Sequence, residues 1–158
     1  MALTVGTDTF ATLTFVDAYH ADRGNTVWGA LDDATAEINI RKGADWLNRT
    51  FYMSGVPPEG QRLQFPAEEV YDAYGRAFSS SVVPTQVQEA NAIVAELYRD
   101  GTYDMEGIIT ADNALKKQKV DVIEVEYEAS LRPVGGAVLT NIYQLMRPFT
   151  SQNKLVRA

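Results

Sequence analysis

A β-rich stretch between residues 115 and 128 places the strongest limit on the fold, because the other periodic segments of this chain have helical spacing. Alternate residues of a strand point to opposite faces. One face carries the apolar residues Ile123, Val125 and Tyr127, and the other carries the acidic residues Glu124, Glu126 and Glu128. The polarity changes sides near Val122, which predicts a β-bulge or a change of packing partner there. No partner strand is obvious nearby, so we predict an extended β-arm or hairpin whose open backbone groups are available to a neighbouring subunit.

The first third of the chain has two segments with helical spacing of apolar residues. Thr14 is a candidate N-cap for a short helix that ends near Gly24. A longer helix is predicted to start at Asp32 or Asp33 and to end near Arg49, because aspartate is a preferred N-cap and apolar residues follow at helical intervals.

Two further helices are predicted in the second half of the chain. Pro84 suits the first turn of one helix, and Gly101 suits its left-handed stop. The last helix carries apolar residues from Val138 onward and is closed by Pro148. Between the second and third helices, residues 54–81 contain prolines and glycines at short intervals, which predicts an irregular loop.

These segments predict a mainly α fold, in which a small bundle of about four helices forms a single domain over residues 1–158. Around the bundle we expect four excursions. They are an extended N-terminal arm (1–13), a central loop (54–81), a β-arm or hairpin (115–128) and an extended C-terminal tail (149–158).

The charge balance argues against a protein that grips nucleic acid. Asp and Glu number 21 against 14 Lys and Arg, which gives a net charge of −7. A nucleic-acid binder normally carries a basic stripe that displaces counterions from phosphates, and the sequence has no such stripe. An acidic wall along which DNA slides is compatible with this balance.

Composition also limits chemistry and location. The chain has no cysteine, which excludes disulfides, thiolate nucleophiles and cysteine-ligated metals. The sequence has no recognisable signal peptide and no apolar run of about 20 residues. We therefore expect assembly in a cytoplasm and no membrane association.

Motifs for catalysis and cofactor binding are absent from the sequence. His20 is the only histidine, and no Gly-x-Ser-x-Gly elbow or phosphate-binding glycine motif accompanies it. The acidic pair at 32–33 and the acidic residues within 68–72 lack the spacing of a calcium loop, and we interpret them as a helix N-terminus and a solvated loop. We expect no enzymatic activity, no metal and no cofactor.

The central loop carries aromatic residues around one arginine, namely Tyr71, Tyr74, Phe78 and Arg76. Such residues can stack on bases, but the acidic residues beside them are unfavourable for a strand of phosphates. We interpret the cluster as one that pins the loop to the core or contacts a protein partner.

The order and spacing of these segments resemble a family of tailed-bacteriophage head–tail adaptors, also called connector or head-completion proteins. Some relatives are labelled DnaT-like single-stranded DNA-binding proteins. The matching segments span nearly the whole chain, and they are MALTVGTDTF, TFVDAYHADRG, ADWLNRTFYMSG, QRLQFPAEEVYDAYGR, VPTQVQEANAIVAEL and KKQKVDVIEVEYE. The chain departs from the family pattern at Phe65-Pro66-Ala67, where Trp-Pro-Arg is expected, and in a longer and more polar ending after Pro148.

The resemblance implies a structural protein of the virion neck, assembled in the host cytoplasm. Such proteins form a homo-oligomeric ring, commonly of twelve copies, that joins the portal protein to the next neck or tail component. Packaged double-stranded DNA passes through the ring without specific binding. The ring needs a heterologous interface, in which two different patches of the same chain meet around the circle.

On this interpretation, three groups of residues are candidate sites. Portal docking is predicted for Phe149, Lys154, Leu155, Val156 and Arg157. Intersubunit contacts are predicted for Ile123, Val125 and Tyr127, and a lumen-facing position is predicted for Glu124, Glu126 and Glu128. Two alternatives stay open, namely a single-stranded DNA-binding replication protein and a small hydrolase built on His20.

Overall fold

The structure is a computed structural model that describes residues 2–72, 74–101, 105, 118–120, 123–125 and 136–150. Its elements are, in order, α1 (Leu13–Asp22), a short 3-10 helix (Trp28–Ala30), α2 (Asp33–Thr50), α3 (Thr85–Asp100), β1 (Gln118–Val120), β2 (Ile123–Val125), α4 (Gly136–Met146) and a second 3-10 helix (Arg147–Phe149). The predicted mainly α fold with four helices is confirmed. Within the described ranges, no helix has the length and apolar character needed to cross a bilayer.

The two long helices, α2 and α3, begin and end close to the predicted residues. Asp32 is the N-cap of α2, and its Oδ1 accepts the N–H of Thr35 at 2.9 Å. Gly101 ends α3 with a φ of +66°, the left-handed conformation that glycine adopts without steric cost. α3 lies at the centre of the bundle, since it packs on α2 most extensively and also contacts α1 and α4.

Helix α1 starts two residues earlier than the sequence predicts. Thr12 is the N-cap, with extended backbone and an Oγ1 that accepts the N–H of Phe15 at 3.2 Å. Thr14 therefore lies inside the helix and is exposed. The prediction failed because Thr12 and Thr14 are equally good caps locally, and the choice follows from the buried segment that precedes Thr12.

That N-terminal segment is part of the core, although the sequence predicts an extended arm over residues 1–13. Thr9, Phe10 and Ala11 are fully buried. The side-chain oxygen of Asn91 in α3 accepts hydrogen bonds from the Thr9 hydroxyl at 2.9 Å and from the Phe10 N–H at 3.1 Å. The buried polar groups at this point therefore have hydrogen-bond partners, so burial of the segment carries no penalty for unpaired groups there.

The central loop also contributes to the core. Its described residues form no helix and no strand of more than an isolated bridge, as an irregular loop would. Leu63, Phe65 and Val70 of the loop are nevertheless fully buried beneath α2, α3 and α4. The loop is therefore held in place by burial of apolar side chains together with a few backbone hydrogen bonds, such as the pair between Val56 and Glu68.

The β-arm contains a short antiparallel hairpin. β1 pairs with β2 in the register Gln118 with Val125, Lys119 with Glu124 and Val120 with Ile123. Of the two predicted forms, an extended β-arm or a hairpin, the hairpin is the one observed, and the arm supplies the partner strand that was not obvious in the sequence. Among the described residues no third strand joins this sheet.

Candidate functional site

The described surface has one groove rich in exposed aromatic side chains, between the end of α2 and the end of α4. It has a volume of about 580 Å³ and includes Phe51, Tyr52, Tyr143 and Arg147 in its lining. We call it the aromatic groove. Tyr52 is 77% exposed and Tyr143 is 53% exposed.

Buried and exposed residues alternate along the chain just after α2, and Tyr52 is the exposed one. Phe51 and Met53 are buried, and the extended backbone at Phe51 points the residue between them to solvent. The N–H of Met53 donates to the Gln64 side chain at 2.7 Å, and the N–H of Ser54 donates to the carbonyl of Phe149 at 2.6 Å. These bonds fix one wall of the aromatic groove.

Helix α4 and the turn after it supply the other wall. The Tyr143 ring meets the buried Phe51 ring edge-on at a centroid distance of 5.1 Å. Arg147 begins the second 3-10 helix, and its carbonyl accepts the hydroxyl of Thr150 at 3.2 Å. Met53 and Thr150 form an isolated antiparallel bridge that ties the two walls together.

Arg147 stands apart from the other arginines that the structure describes. The others each have a partner within the chain, and they are Arg23, Arg41, Arg49, Arg62, Arg76 and Arg99. Arg147 is exposed and has no side-chain partner among the described residues. None of the described residues that line the aromatic groove with Arg147 is a carboxylate; they are aromatic or neutral polar.

The tip of the central loop is a second exposed aromatic surface. Tyr74 is 84% exposed, and the Arg76 guanidinium lies 5.2 Å from its ring centroid. Asp72 holds the tip, because it accepts the backbone N–H of Arg76 at 2.9 Å and the Arg76 Nε at 2.7 Å. The backbone bond from Arg76 is the main reason that the pKa of Asp72 is lowered. Phe78 instead packs on Phe149, so the cluster divides into a pinned part and an exposed part.

His20 is a packed core residue. Its ring stacks on Trp28 at a centroid distance of 4.5 Å, and its Nε2 lies 3.2 Å from the carbonyl oxygen of Ala92. Asn25 contacts the other ring nitrogen at 3.4 Å. Burial lowers the pKa of His20, so the neutral ring is favoured. Both ring nitrogens are engaged, and a nucleophile is not among their partners.

A smaller cavity of about 490 Å³ lies beside Trp28. The Trp28 indole N–H donates to Asp17 at 2.9 Å across its wall. Over the part of the chain that the structure describes, no three His, Asp or Glu side chains come together in a way that could hold a metal ion.

The sequence-predicted site residues fall largely outside the described ranges. Tyr127, Glu126 and Glu128 lie outside them, as do the docking candidates Lys154, Leu155, Val156 and Arg157. Ile123, Glu124 and Val125 form β2, for which the structure gives the backbone pairing.

Phe149 is the one docking candidate whose side chain is described. It is fully buried and meets the rings of Phe65 and Phe78 at centroid distances of 5.9 and 5.3 Å. Phe149 therefore closes the chain's own core, and its side chain is not exposed to a partner.

Sequence reasoning missed the aromatic groove. The signal was present in α4, where Tyr143 lies one position away from the stripe formed by Ile142 and Met146. A tyrosine beside an apolar stripe predicts a side chain at the rim of the core, and Arg147 follows it by one helical turn. Tyr52 gave no such signal, because its exposure depends on how the chain leaves α2.

Comparison with known proteins gives a family for this chain. The sequence has no significant match among curated proteins or among solved structures. A family match covers residues 2–158, which is nearly the entire sequence. The chain therefore belongs to the family described as "Putative DnaT-like ssDNA binding protein".

Proposed function

We propose that this protein is a structural adaptor of the tailed-phage neck, which forms a homo-oligomeric ring between the portal and the next neck or tail component. The observation that carries the proposal is the hairpin of β1 and β2, a two-stranded sheet that no other described strand joins. Each strand has three residues. An isolated hairpin of two strands is marginal in water, and additional strands or a packed face stabilise it.

A neighbouring copy is the partner that this hairpin suits. The outer edge of β2 offers N–H and C=O groups to another chain, and pairing repeated around a ring makes many weak contacts act together. Ile123 and Val125, with Tyr127 beyond them, would supply the apolar part of the intersubunit contact. The lumen would then receive Glu126 and Glu128, and Glu124 would lie at the junction between copies.

Charge supports a ring through which DNA passes without being held. The net charge of the chain is −7, and all but one of the described arginines are already engaged within the chain. A DNA-binding groove needs several free cations, because affinity for phosphates grows with the number of neutralised charges. A negative lumen repels the phosphate backbone and lets the duplex slide.

The proposed portal-docking element is the tail from Lys154 to Arg157. Its two cations flank Leu155 and Val156, a pattern that suits an acidic and apolar pocket on a partner. The role is structural and includes no chemical step. The protein would act in the virion neck after assembly in the host cytoplasm.

The experiment for this role joins tails to heads in vitro. Portal-bearing heads are mixed with the full chain or with a variant that lacks residues 151–158, a truncation that retains Phe149 in the core. The variant should unfold like the parent and fail to support tail joining. A variant in which the same eight residues are scrambled is the control for length. Normal tail joining by the truncated chain contradicts the docking assignment.

Single-stranded DNA binding is the second candidate function, and the family's description favours it. The exposed loop tip with Tyr71, Tyr74 and Arg76 is the surface that would stack on bases. A labelled oligonucleotide separates the two candidates. Binding that weakens steeply as salt rises, and that a Tyr74→Ala change removes, supports replication; absence of binding at low salt supports the adaptor.

A further inference from the structure

We propose that the aromatic groove of one copy binds strand β2 of the next copy, with Glu124 paired to Arg147 across the interface. This inference rests on the proposed ring and specifies its two different patches. The receiving patch is the groove with Tyr52, Tyr143 and Arg147, and the entering patch is β2 (Ile123–Val125). A closed ring of identical copies requires two such patches that are complementary rather than identical.

Arg147 carries the first step of the argument. Among the described residues it is the arginine without a side-chain partner, and none of the described residues that line its groove is a carboxylate. Arginine and tyrosine are among the residue types that most often dominate binding at protein interfaces, and here Tyr52 and Tyr143 line the same groove as Arg147. The groove therefore suits a segment that brings apolar surface together with one or more carboxylates.

Strand β2 has that chemistry. Glu124 is its central residue, with Ile123 and Val125 on either side. Because β1 pairs along one edge of β2, the opposite edge is the one available for a groove on another copy. The acidic character continues along the sequence at Asp121 and Glu126.

Charge selects β2 over the C-terminal tail as the occupant. The tail carries Lys154 and Arg157, which would repel Arg147 in the same groove. Charge also favours a specific contact between copies. Two chains that each have a net charge of −7 repel each other unless opposite charges meet at the interface. Glu124 facing Arg147 supplies such a pair at every junction of the ring.

A charge swap tests the pairing. Arg147→Glu and Glu124→Arg should each lower the yield of rings on portals by at least about tenfold, because each places like charges together at every junction. The double variant, which exchanges the two charges, should restore ring formation. Lys42→Glu makes the same charge change on the exposed surface of α2 and should leave the yield unchanged. Thermal unfolding of each variant establishes that it is folded.

Cross-linking tests whether the aromatic groove of one copy lies against β2 of the next. The sequence has no native cysteine, so only the introduced cysteines react with the cross-linker. One tagged copy carries Tyr143→Cys, a differently tagged copy carries Glu124→Cys, and a short bismaleimide is added to mixed rings. Links between the two tags are expected. Rings that form without such links, or that survive both single charge reversals, overturn this inference and leave the ring itself standing. Links from Tyr143→Cys to the portal in place of the other copy also overturn it. Failure of the parent chain to form rings overturns the proposed function and this inference with it.

Discussion

Asn91 lies directly against Gly43, where α2 and α3 approach so closely that a Cβ on Gly43 would be 2.9 Å from the Asn91 Nδ2. It would also lie 3.1 Å from the backbone nitrogen of Ala95. Backbone atoms of a helix cannot move aside as a flexible side chain can. The contact between the two long helices therefore depends on the absence of a side chain at residue 43.

Gly43→Ala should destabilise the protein, although alanine favours helices. The intrinsic gain is about 1 kcal/mol, whereas overpacking a tight core contact costs typically 1–3 kcal/mol and here also disturbs a buried hydrogen-bonded side chain. We expect a net loss of about 1–2 kcal/mol, measured by urea unfolding. Gly29→Ala is the matched control, because no atom lies within 4 Å of the added Cβ. Equal stability of the two variants would contradict the close approach.

Asn91→Leu should be more damaging. The Asn91 side chain accepts from Thr9 and Phe10, and its Nδ2 donates to the carbonyl of Ile40 at 3.0 Å. Leucine of similar size leaves the buried Phe10 N–H without an acceptor, at a cost of roughly 1–3 kcal/mol. The Thr9 hydroxyl and the Ile40 carbonyl each lose one partner, although Thr9 can still donate to the carbonyl of Ala11. We expect a loss of more than about 2 kcal/mol of unfolding free energy. The same change at the exposed Asn141 should alter it by less than about 0.5 kcal/mol.

The N-cap of α1 can be assigned by a pair of threonine variants. Thr12→Ala removes the hydroxyl that accepts the N–H of Phe15, and it should cost about 1 kcal/mol. Thr14→Ala changes an exposed residue inside the helix and should be neutral or slightly stabilising. Chemical denaturation of both variants distinguishes the observed cap from the one that the sequence favours. A larger loss at Thr14 would mean that the helix starts later.

Stability should fall as the solution is acidified because of His20. Burial lowers its pKa below the ordinary value of 6.5, so the unfolded chain binds more protons than the folded chain over that range. The contribution of the neutral ring is complete above pH 6.5 and is lost as the pH falls through the folded-state pKa. Urea unfolding between pH 8 and about 5, above the range where most carboxylates titrate, should show the decline.

His20→Gln is the variant that isolates this effect. It should be less stable than the parent at pH 8, because the stacking on Trp28 is lost. Between pH 8 and about 5 its unfolding free energy should vary less with pH than that of the parent. Parallel profiles for the two proteins would assign the pH dependence to other groups.

The helices could be predicted from the sequence because their signals are local. Asp32 caps α2 through a residue three positions away, and Gly101 stops α3 through its own backbone freedom. Such features depend on a few neighbouring residues, so the amino-acid pattern is sufficient.

The burial of the N-terminal segment and of Phe149 could not be predicted in this way. Phe10 is held by Asn91, and Phe149 packs on Phe65, in each case across more than 80 positions of the chain. The free energy comes from contacts that exist only once the bundle has formed. Terminal segments rich in threonine or polar residues carry no periodic signal of that burial.

The aromatic groove was unpredictable for a related reason. Its walls come from the end of α2 and the end of α4, and only their packing brings Tyr52 and Arg147 into one groove. Asn91, in contrast, was visible in principle, since it lies within the apolar stripe of α3 next to Ala90. A polar residue at a core position predicts a buried hydrogen-bonding role.

The most direct test of the adaptor account is electron microscopy of purified portal complexes incubated with the full chain at physiological salt. The account predicts a closed ring of additional density on one face of the portal, with a central channel wide enough for duplex DNA. A chain that stays monomeric, leaves the portal bare and instead coats single-stranded DNA would contradict it.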